Sequence, residues 1–480
     1  MRDLREWIEK VEKIGELHRV GKEVDWNLEL STIVRLNFEL SGPALLFENV
    51  KDSLPGSRVL AAPIGMSTKR YAVTTYLPVD SDIPALMQGW RERVKKKVPP
   101  KKVTTGPIKE NIFRDNEIDL NCLPAPKWWP FDGGRYLGTH DVVITKDADS
   151  DWVNLGTYRA MILDKNKLGF WVSHGHHARI IRERWWAKGK PCPVAITFGQ
   201  EPAFILISGR AFPVGESELD YVGGLRGEAV EVIEGEETGL PIPAHAEIAI
   251  EGYSYPNATM EEGPFGESQG YYSKPKEKIP YIEVKRLYYR NNPILCGAQM
   301  ASYPSDSQGL MGTIGRAAGI WEDLERVGVK GITGVWNHPQ ASGGMMTVVS
   351  IKQLHAGHAK QVACLAAQVP QAAYHNKYVI VVDDDINIFS LGEVMWALTT
   401  RVDLKNDIDL IRDTWGTYLE PSIWPVEDRP YSSTALINAC KPHKWIDQFP
   451  KRNMPDPELK KKTIARWKEL GLPGDPSTLR

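Results

Sequence analysis

Asp141-Val-Val-Ile-Thr145, Pro193-Val-Ala-Ile-Thr-Phe198, Ala246-Glu-Ile-Ala-Ile-Glu251 and Tyr281-Ile-Glu-Val284 are the runs on which the fold reading turns. Each is short and rich in β-branched or aromatic residues, and turn-forming residues separate them. This predicts a β-rich domain over residues 116–305, for which a barrel is one available form. One helix, around Ala178–Gly189, interrupts the series.

Working outward, residues 1–115 read as an α/β domain. Leu4, Trp7, Ile8, Val11 and Ile14 share one helical face, with Asp3 and Glu6 in a capping-box pattern and Gly15 after the end. This helix should pack on a sheet. A second helix over Leu28–Leu40 and strands at Ala44–Phe47 and Arg58–Ala62 follow, and Lys95–Pro107 reads as a linker. Residues 306–455 alternate again. Helices are expected at Arg316–Gly328, His358–Gln368 and Leu391–Thr399, and strands at Gly344–Ser350 and Tyr378–Val382, a βαβ-like α/β unit. Residues 456–480 form a tail with a charged amphipathic helix over Asp456–Leu470, of a kind that docks on a neighbour more often than it stands alone. The fold class is therefore α+β and multidomain.

Composition narrows the function classes. A chain of 480 residues is long for one core and can bury a large cofactor. With 42% hydrophobic and 25% charged residues it matches an ordinary soluble protein, no apolar stretch has membrane-spanning length, and the first residues lack a signal-peptide core. A cytoplasmic location is expected. The formal charge of −2 gives no general reason to bind nucleic acid or an anionic membrane. The basic run Arg93–Lys102 contains two prolines and reads as solvated linker. The five cysteines lack metal or disulfide spacing, so buried free thiols are expected.

Chemistry-bearing residues concentrate in the β-rich region. Glu262 and Glu267 flank the Gly-Pro-Phe-Gly turn of Glu261–Tyr272, where two glycines and a proline can hold two carboxylates at a defined separation. Alone, this reads as a solvated turn before it reads as a site. It is accompanied by Asn154-Leu-Gly-Thr-Tyr-Arg159, Ser173-His-Gly-His-His-Ala-Arg179 and Ser217-Glu218-Leu-Asp-Tyr-Val-Gly-Gly-Leu-Arg-Gly-Glu228. Five residues apart, Asn154 and Arg159 would face opposite ways on a regular strand and could share a pocket only across a bulge or turn. No P-loop or strand-linked dinucleotide fingerprint is present to hold a phosphate.

In order and spacing this set resembles the UbiD family of prenylated-FMN-dependent reversible decarboxylases, from Asp3-Leu-Arg-Glu6 to Asp383–Phe389 and Trp396. The resemblance implies a central split β-barrel flavin-binding domain and a carboxy-terminal α/β domain used in oligomerisation. It implies Asn154, His177 and Glu218 as ligands of Mn²⁺ or Mg²⁺ bridging the flavin phosphate, a mixed oxygen and nitrogen set suited to such ions, with K⁺ as a further ion. Thr157, Tyr158, Arg159, His176, Ser208 and Gly209, together with Asn154 and Glu218, would contact the cofactor. His174 receives no role, Glu228 reads as an exposed salt bridge, and the family's flavin-contacting lysine has no counterpart.

By the same resemblance, Arg159 grips the substrate carboxylate, Glu267 is the general acid, and Glu262 pairs with Arg159. The implied partners are a small carboxylic acid, CO₂, a flavin prenyltransferase that supplies the cofactor, and further copies of the chain as a dimer or assembly of dimers. Two other readings stand beside this one: an oxidoreductase using ordinary FMN, and a non-catalytic subunit of a carboxylase complex. Trp128, Trp129, Phe131, Trp171 and Trp396 are candidates to line the pocket.

Overall fold

Asp3 starts the first helix: its carboxylate accepts from Glu6 N at 2.9 Å, and α1 (Leu4–Lys13) buries Leu4, Trp7, Ile8 and Val11 on one face. The capping pattern is half realised, because the Glu6 carboxylate accepts from Arg2 N instead of Asp3 N. In this computed structural model, which describes residues 1–476, the buried face of α1 packs with Ala44, Leu46, Leu60 and Ile294. After α1 come β1 (Leu17–Val24), α2 (Glu29–Glu39), β2 (Ala44–Val50), β3 (Arg58–Ala61), α3 (Thr68–Thr74) and α4 (Ile83–Val94). The amino-terminal sheet runs β1-β2-β3-β17, where β17 (Ile294–Gly297) returns from far along the chain to pair in parallel with β3.

The stretch expected as a linker is hydrogen-bonded into the fold. β4 (Lys101–Lys102) pairs in parallel with β12 (Glu231–Glu234), which also pairs with β13 (Pro241–Pro243). Val98 N donates to Asp220 O at 2.9 Å and Val103 N to Val232 O at 2.9 Å. Backbone pairing is why a basic, proline-containing run is ordered here.

The sheet that carries the site has ten strands. They are β5 (Asn111–Arg114), β6 (Tyr136–Gly138), β7 (Asp141–Lys146), β8 (Val153–Gly156), β9 (Ala160–Asp164), β10 (Lys167–Gly169), β11 (Cys192–Phe198), β14 (Ile248–Ser254), β15 (Thr259–Glu262) and β16 (Glu277–Tyr289). Their order is β6-β9-β10-β16-β14-β11-β7-β8, with β5 and β15 also on β16, and every pairing is antiparallel. The four sequence runs fall on β7, β11, β14 and β16. Alternation sorts their side chains between two cores: Val142, Ile144, Ala195 and Ala249 face one, and Val143, Val194, Ile196, Ile248 and Ile250 face the other. Burial on both faces explains why these strands read as nearly continuous apolar runs.

Three helices, not one, lie within this region: α5 (His177–Ala187), α6 (Ala203–Ser208) and α7 (Glu218–Arg226). All six α6 residues are buried. A short helix without a polar face has the same apolar signature as a buried strand, so periodicity cannot reveal it.

The carboxy-terminal layer holds α8 (Leu310–Arg326), β18 (Ile332–Asn337), β19 (Met346–Ile351), α9 (His358–Gln368), α10 (Pro370–Ala373), β20 (Tyr378–Asp383), α11 (Leu391–Arg401), β21 (Ile408–Trp415) and β22 (Tyr431–Ala439). The sheet order is β18-β19-β20-β22-β21. β19 and β20 are parallel, so the expected βαβ unit is present with α9 as its crossover. α8 begins six residues before the expected start, at a glycine-rich turn. Residues from Lys441 form a separate compact unit with α12 (Pro457–Ala465), whose first turn is capped by the Asp456 carboxylate on Leu459 N. The last four residues of the expected tail, 477–480, lie outside the described residues.

No helix among the described residues is long and apolar enough to cross a membrane. All five cysteines are free; Cys192, Cys296 and Cys440 are buried as expected, Cys122 is half-buried, and Cys364 is exposed, a correction to the expectation of uniformly buried thiols.

Asp306, just before α8, has a buried carboxyl whose Oδ1 accepts from Gly65 N at 3.1 Å while Oδ2 has no partner. Burial pushes its pKa up to about 7 against the hydrogen bond and Arg70. A carboxyl raised in the folded state contributes stability that is present below about pH 4 and lost as pH rises through about 7. Asp306→Asn should therefore flatten the fall in melting temperature between pH 4 and 7, removing a slope of up to about 1.4 kcal/mol per pH unit. Thermal unfolding across that range checks this, and an unchanged slope would show that Asp306 does not titrate there.

Candidate active site

Arg159 sits between β8 and β9, where the chain leaves one strand and has not begun the next. Its Nη2 donates to Glu262 Oε2 at 2.7 Å and its Nη1 to Glu267 Oε1 at 2.5 Å. The guanidinium lies 4.7 Å from the Trp171 ring centroid and 5.7 Å from that of Phe265. Burial disfavours its charge, but the two carboxylates more than reverse this and hold its pKa above the ordinary value. An always-charged fork between two acids, beside the Trp171 and Phe265 rings, is a fixed point in the wall.

The turn carrying the acids is held from outside. Asp132 Oδ1 accepts from Gly266 N at 2.8 Å and its Oδ2 from Trp129 N at 2.9 Å, and Gly133 N donates to Pro264 O at 2.8 Å. Gly263 has φ +85°, and a Cβ on Gly266 would sit 2.3 Å from the Trp129 ring. Both glycines are thus required, one by its backbone and one by the closeness of its neighbour. Glu262 also accepts from the Tyr136 hydroxyl at 2.9 Å. Burial pushes the Glu267 pKa up, Arg159 opposes this, and the charge on Glu262 adds to it. The surroundings of Glu267 thus favour its neutral form, while Arg159 also pairs with Glu262 at 2.7 Å.

These groups open into a cavity of about 210 Å³ lined by Thr157, Tyr158, Arg159, Trp171, His176, Phe265, Glu267 and Tyr374, among others. A second cavity of about 310 Å³ shares Thr139, Thr157, Met300 and Tyr374 with it and includes Gly209. Ser208 reaches Thr157, hydroxyl to hydroxyl, at 2.8 Å. His176 stands edge-on to Tyr158 and Tyr374, and burial lowers its pKa, so it faces the cavity as a neutral imidazole.

Asn154 is directed elsewhere. From β8 its Nδ2 donates to Glu218 Oε1 at 2.9 Å, and Leu155 N donates to Glu218 Oε2 at 2.7 Å. Glu218 opens α7, and burial pushes its pKa up to about 7 against those hydrogen bonds. Asn154 Oδ1 is buried and has no hydrogen-bond partner. His177, at the start of α5, packs edge-on against Trp152, two residues before Asn154, with ring centroids 4.9 Å apart. An unpartnered amide oxygen beside a buried carboxylate, with an imidazole nearby, fits a hard divalent cation. Asn154 and Arg159 thus serve two neighbouring places, with Thr157 and Tyr158 between them.

Of the aromatic candidates, Trp171 lines the first cavity. Trp128 is buried in the core, Trp129 braces the glutamate turn, and Phe131 and Trp396 are exposed. His174 is exposed and packs near Tyr418. Glu228 forms the expected exposed ion pair with Arg226 at 2.9 Å. Tyr136 and Tyr374 carry no motif signal in the sequence. Lys274 has its Nζ 4.6 Å from the centroid of Trp171, the ring that Arg159 also approaches, and it lies two residues beyond the quoted glutamate stretch without a motif signal of its own.

Three domain models of 3-octaprenyl-4-hydroxybenzoate carboxy-lyase match in sequence: the N-terminal domain over residues 8–90, the Rift-related domain over 101–303 and the C-terminal domain over 309–439. The chain belongs to the UbiD family. It is 31% identical to the pyrrole-2-carboxylic acid decarboxylase of Pseudomonas aeruginosa, with 98% of each chain covered. Its fold is similar to that of the UbiD-class enzyme HmfF from Pelotomaculum thermopropionicum, a structure in complex with FMN, with TM-score 0.84, 29% identity and coverage of 95% of this chain and 98% of that one. The closed form of vanillic acid decarboxylase from Sedimentibacter hydroxybenzoicus gives TM-score 0.86 at 27% identity, covering 98% and 99%.

Proposed function

We propose that this chain is a carboxy-lyase that reversibly and non-oxidatively removes CO₂ from an aromatic, heteroaromatic or α,β-unsaturated carboxylic acid, using prenylated FMN. The observation that carries this reading is the buried Arg159 fork held by Glu262 and Glu267 at the wall of a cavity that Trp171, Phe265 and Tyr374 also line. Binding of FMN by the HmfF relative, and of prFMN by an evolved dimeric form of it, supports the choice of cofactor.

Prenylated FMN, when bound, supplies an electron sink for the charge left on carbon as CO₂ departs. The protein's own part is positional and protonic. Arg159 orients the substrate carboxylate; the carbon–carboxylate bond breaks with its electron pair left on carbon; and Glu267 passes its proton to that carbon and is reprotonated from solvent. In carboxylation the same carboxylate takes the proton away. Glu262 and Tyr136 keep the guanidinium in place. Thr157, Tyr158, His176, Ser208 and Gly209 would line the flavin, while Asn154, His177 and Glu218 would hold Mn²⁺ or Mg²⁺ on its phosphate, with K⁺ as a further ion.

We further assign the ten-stranded sheet as a split β-barrel flavin domain and the carboxy-terminal α/β layer to contacts between copies, in a cytoplasmic homo-oligomer supplied by a flavin prenyltransferase. Neither an ordinary FMN oxidoreductase nor a non-catalytic subunit requires the Arg159, Glu262 and Glu267 arrangement, and neither reading is favoured.

The test is intact mass spectrometry of the released cofactor, with metal analysis, on protein coexpressed with a flavin prenyltransferase. Prenylated FMN with about one divalent ion per chain is expected from the ligand set. Plain FMN that bleaches and recovers with NAD(P)H would sink the proposal in favour of a reductase.

A further inference from the structure

Glu262 and Glu267 are fixed by different means. Glu262 ends β15, is paired there with Glu277 of β16, and its carboxylate accepts from Tyr136. Glu267 lies beyond the end of that strand. On its carboxyl side a small loop holds it, with Glu267 N donating to Tyr271 O at 3.1 Å and Gly270 N to Glu267 O at 2.9 Å. On its amino side the nearest fixed point is Gly266 N, which donates to Asp132 Oδ1 at 2.8 Å.

The other oxygen of Asp132 bears on the same glycine. Oδ2 accepts from Trp129 N at 2.9 Å, the Trp129 ring is pinned by its Nε1 donating to Met300 O at 2.8 Å, and that ring is the neighbour that leaves Gly266 no room for a Cβ. Two N–H donors need two oxygens that carry no proton, and an ionised aspartate supplies both on a short side chain. An asparagine would supply one and turn its NH₂ toward the second N–H. Asp132 is not among the residues that line either cavity, so it reaches the substrate only through the turn.

Burial pushes the Asp132 pKa up to about 6, against the two N–H donors and Lys127. Tyr136 on β6 and Tyr272 beyond the turn also face it, each phenol raised by burial and further by the Asp132 charge. The turn itself carries Glu262 and Glu267, whose carboxylates bond to Arg159. Asp132 is therefore ionised at neutral pH and gains a proton as the pH falls through about 6. A proton on either oxygen converts an acceptor into a donor that faces an N–H.

We infer that Asp132 is a positioning residue of the reaction: its ionised carboxylate, acting through Gly266, sets where Glu267 stands against Arg159, and protonation of Asp132 lets Glu267 leave that place. This rests on the decarboxylase reading given above. The two limbs of the pH–rate profile then have different owners. Turnover falls in acid as Asp132 gains its proton, and falls in base as Glu267 loses its own.

The test compares flavin-loaded wild-type and Asp132→Asn protein in two measurements. Hydrogen exchange of residues 262–272, read by mass spectrometry and corrected for the intrinsic effect of pH, needs no substrate. Wild-type protection there should fall about tenfold between pH 7 and 5, following the ionised fraction of a group with a pKa of about 6, and should be low at both pH values in the variant. With pyrrole-2-carboxylate and vanillate as probes, kcat of the variant at neutral pH should fall by about 10²-fold, the cost of a misplacement of about 1 Å. KM should stay nearly unchanged, and the loss of kcat below pH 6 seen in the wild type should be absent.

Wild-type protection that does not change with pH would overturn the role, as would a variant that keeps the wild-type kcat or its acid limb. Exchange that rises throughout the flavin domain of the variant would do so too, by making Asp132 a residue of the fold at large. Failure of the decarboxylase reading shows separately, as no CO₂ release from any acid by the flavin-loaded wild-type protein.

Discussion

Glu267→Gln is expected to reduce turnover by at least about 10²–10⁴-fold, the usual contribution of a positioned general acid, while flavin content and the flavin spectrum stay as in the wild type. The amide keeps the size of the side chain, and its oxygen can still accept from Arg159 Nη1, so the cavity wall is preserved. What is lost is the proton that burial and the neighbouring Glu262 place on this side chain. In the proposed acid role Glu267 is protonated and, like glutamine, uncharged, so the variant should melt close to the wild-type temperature. Single-turnover kinetics with quantified cofactor separate the cases. Near-normal CO₂ release would remove Glu267 from the acid role, and loss of flavin would turn it into a binding residue. Glu262→Gln differs in kind, since it removes the matched partner of a buried guanidinium.

The runs on β7, β11, β14 and β16 were legible because buried antiparallel strands have a composition that survives without tertiary information. The α1 face was legible through its 3.6-residue period. α6 and α7 were not, one because it lacks a polar face and the other because two glycines and several polar residues blur its pattern. At the site, Glu262 and Glu267 stood out because a constrained turn separates them. The partners that give them different environments, Tyr136 and Asp132, lie more than a hundred residues upstream on other elements.

Asn154→Ala should release flavin and divalent metal together, each by about tenfold or more in affinity, and this separates a ligand role from a structural one. Asn154 also has a structural part, because its Nδ2 donates to the buried Glu218. Losing that bond costs about 1–3 kcal/mol, since the carboxylate keeps only Leu155 N as donor. A lower melting temperature alone would therefore say nothing about metal. His177→Ala supplies the distinction. Its ring packs against Trp152 and makes no hydrogen bond to Glu218, so its removal leaves the Asn154–Glu218 pair standing. If both variants lose metal and flavin in equal proportion, measured by elemental analysis and flavin absorbance after gel filtration, the three residues act on one ion. If His177→Ala keeps both while Asn154→Ala loses both, the imidazole is a packing residue and the ion takes its remaining ligands elsewhere. The sharing of one site by metal and phosphate predicts that neither is lost alone, because a phosphate without its cation would lie against the Glu218 carboxylate.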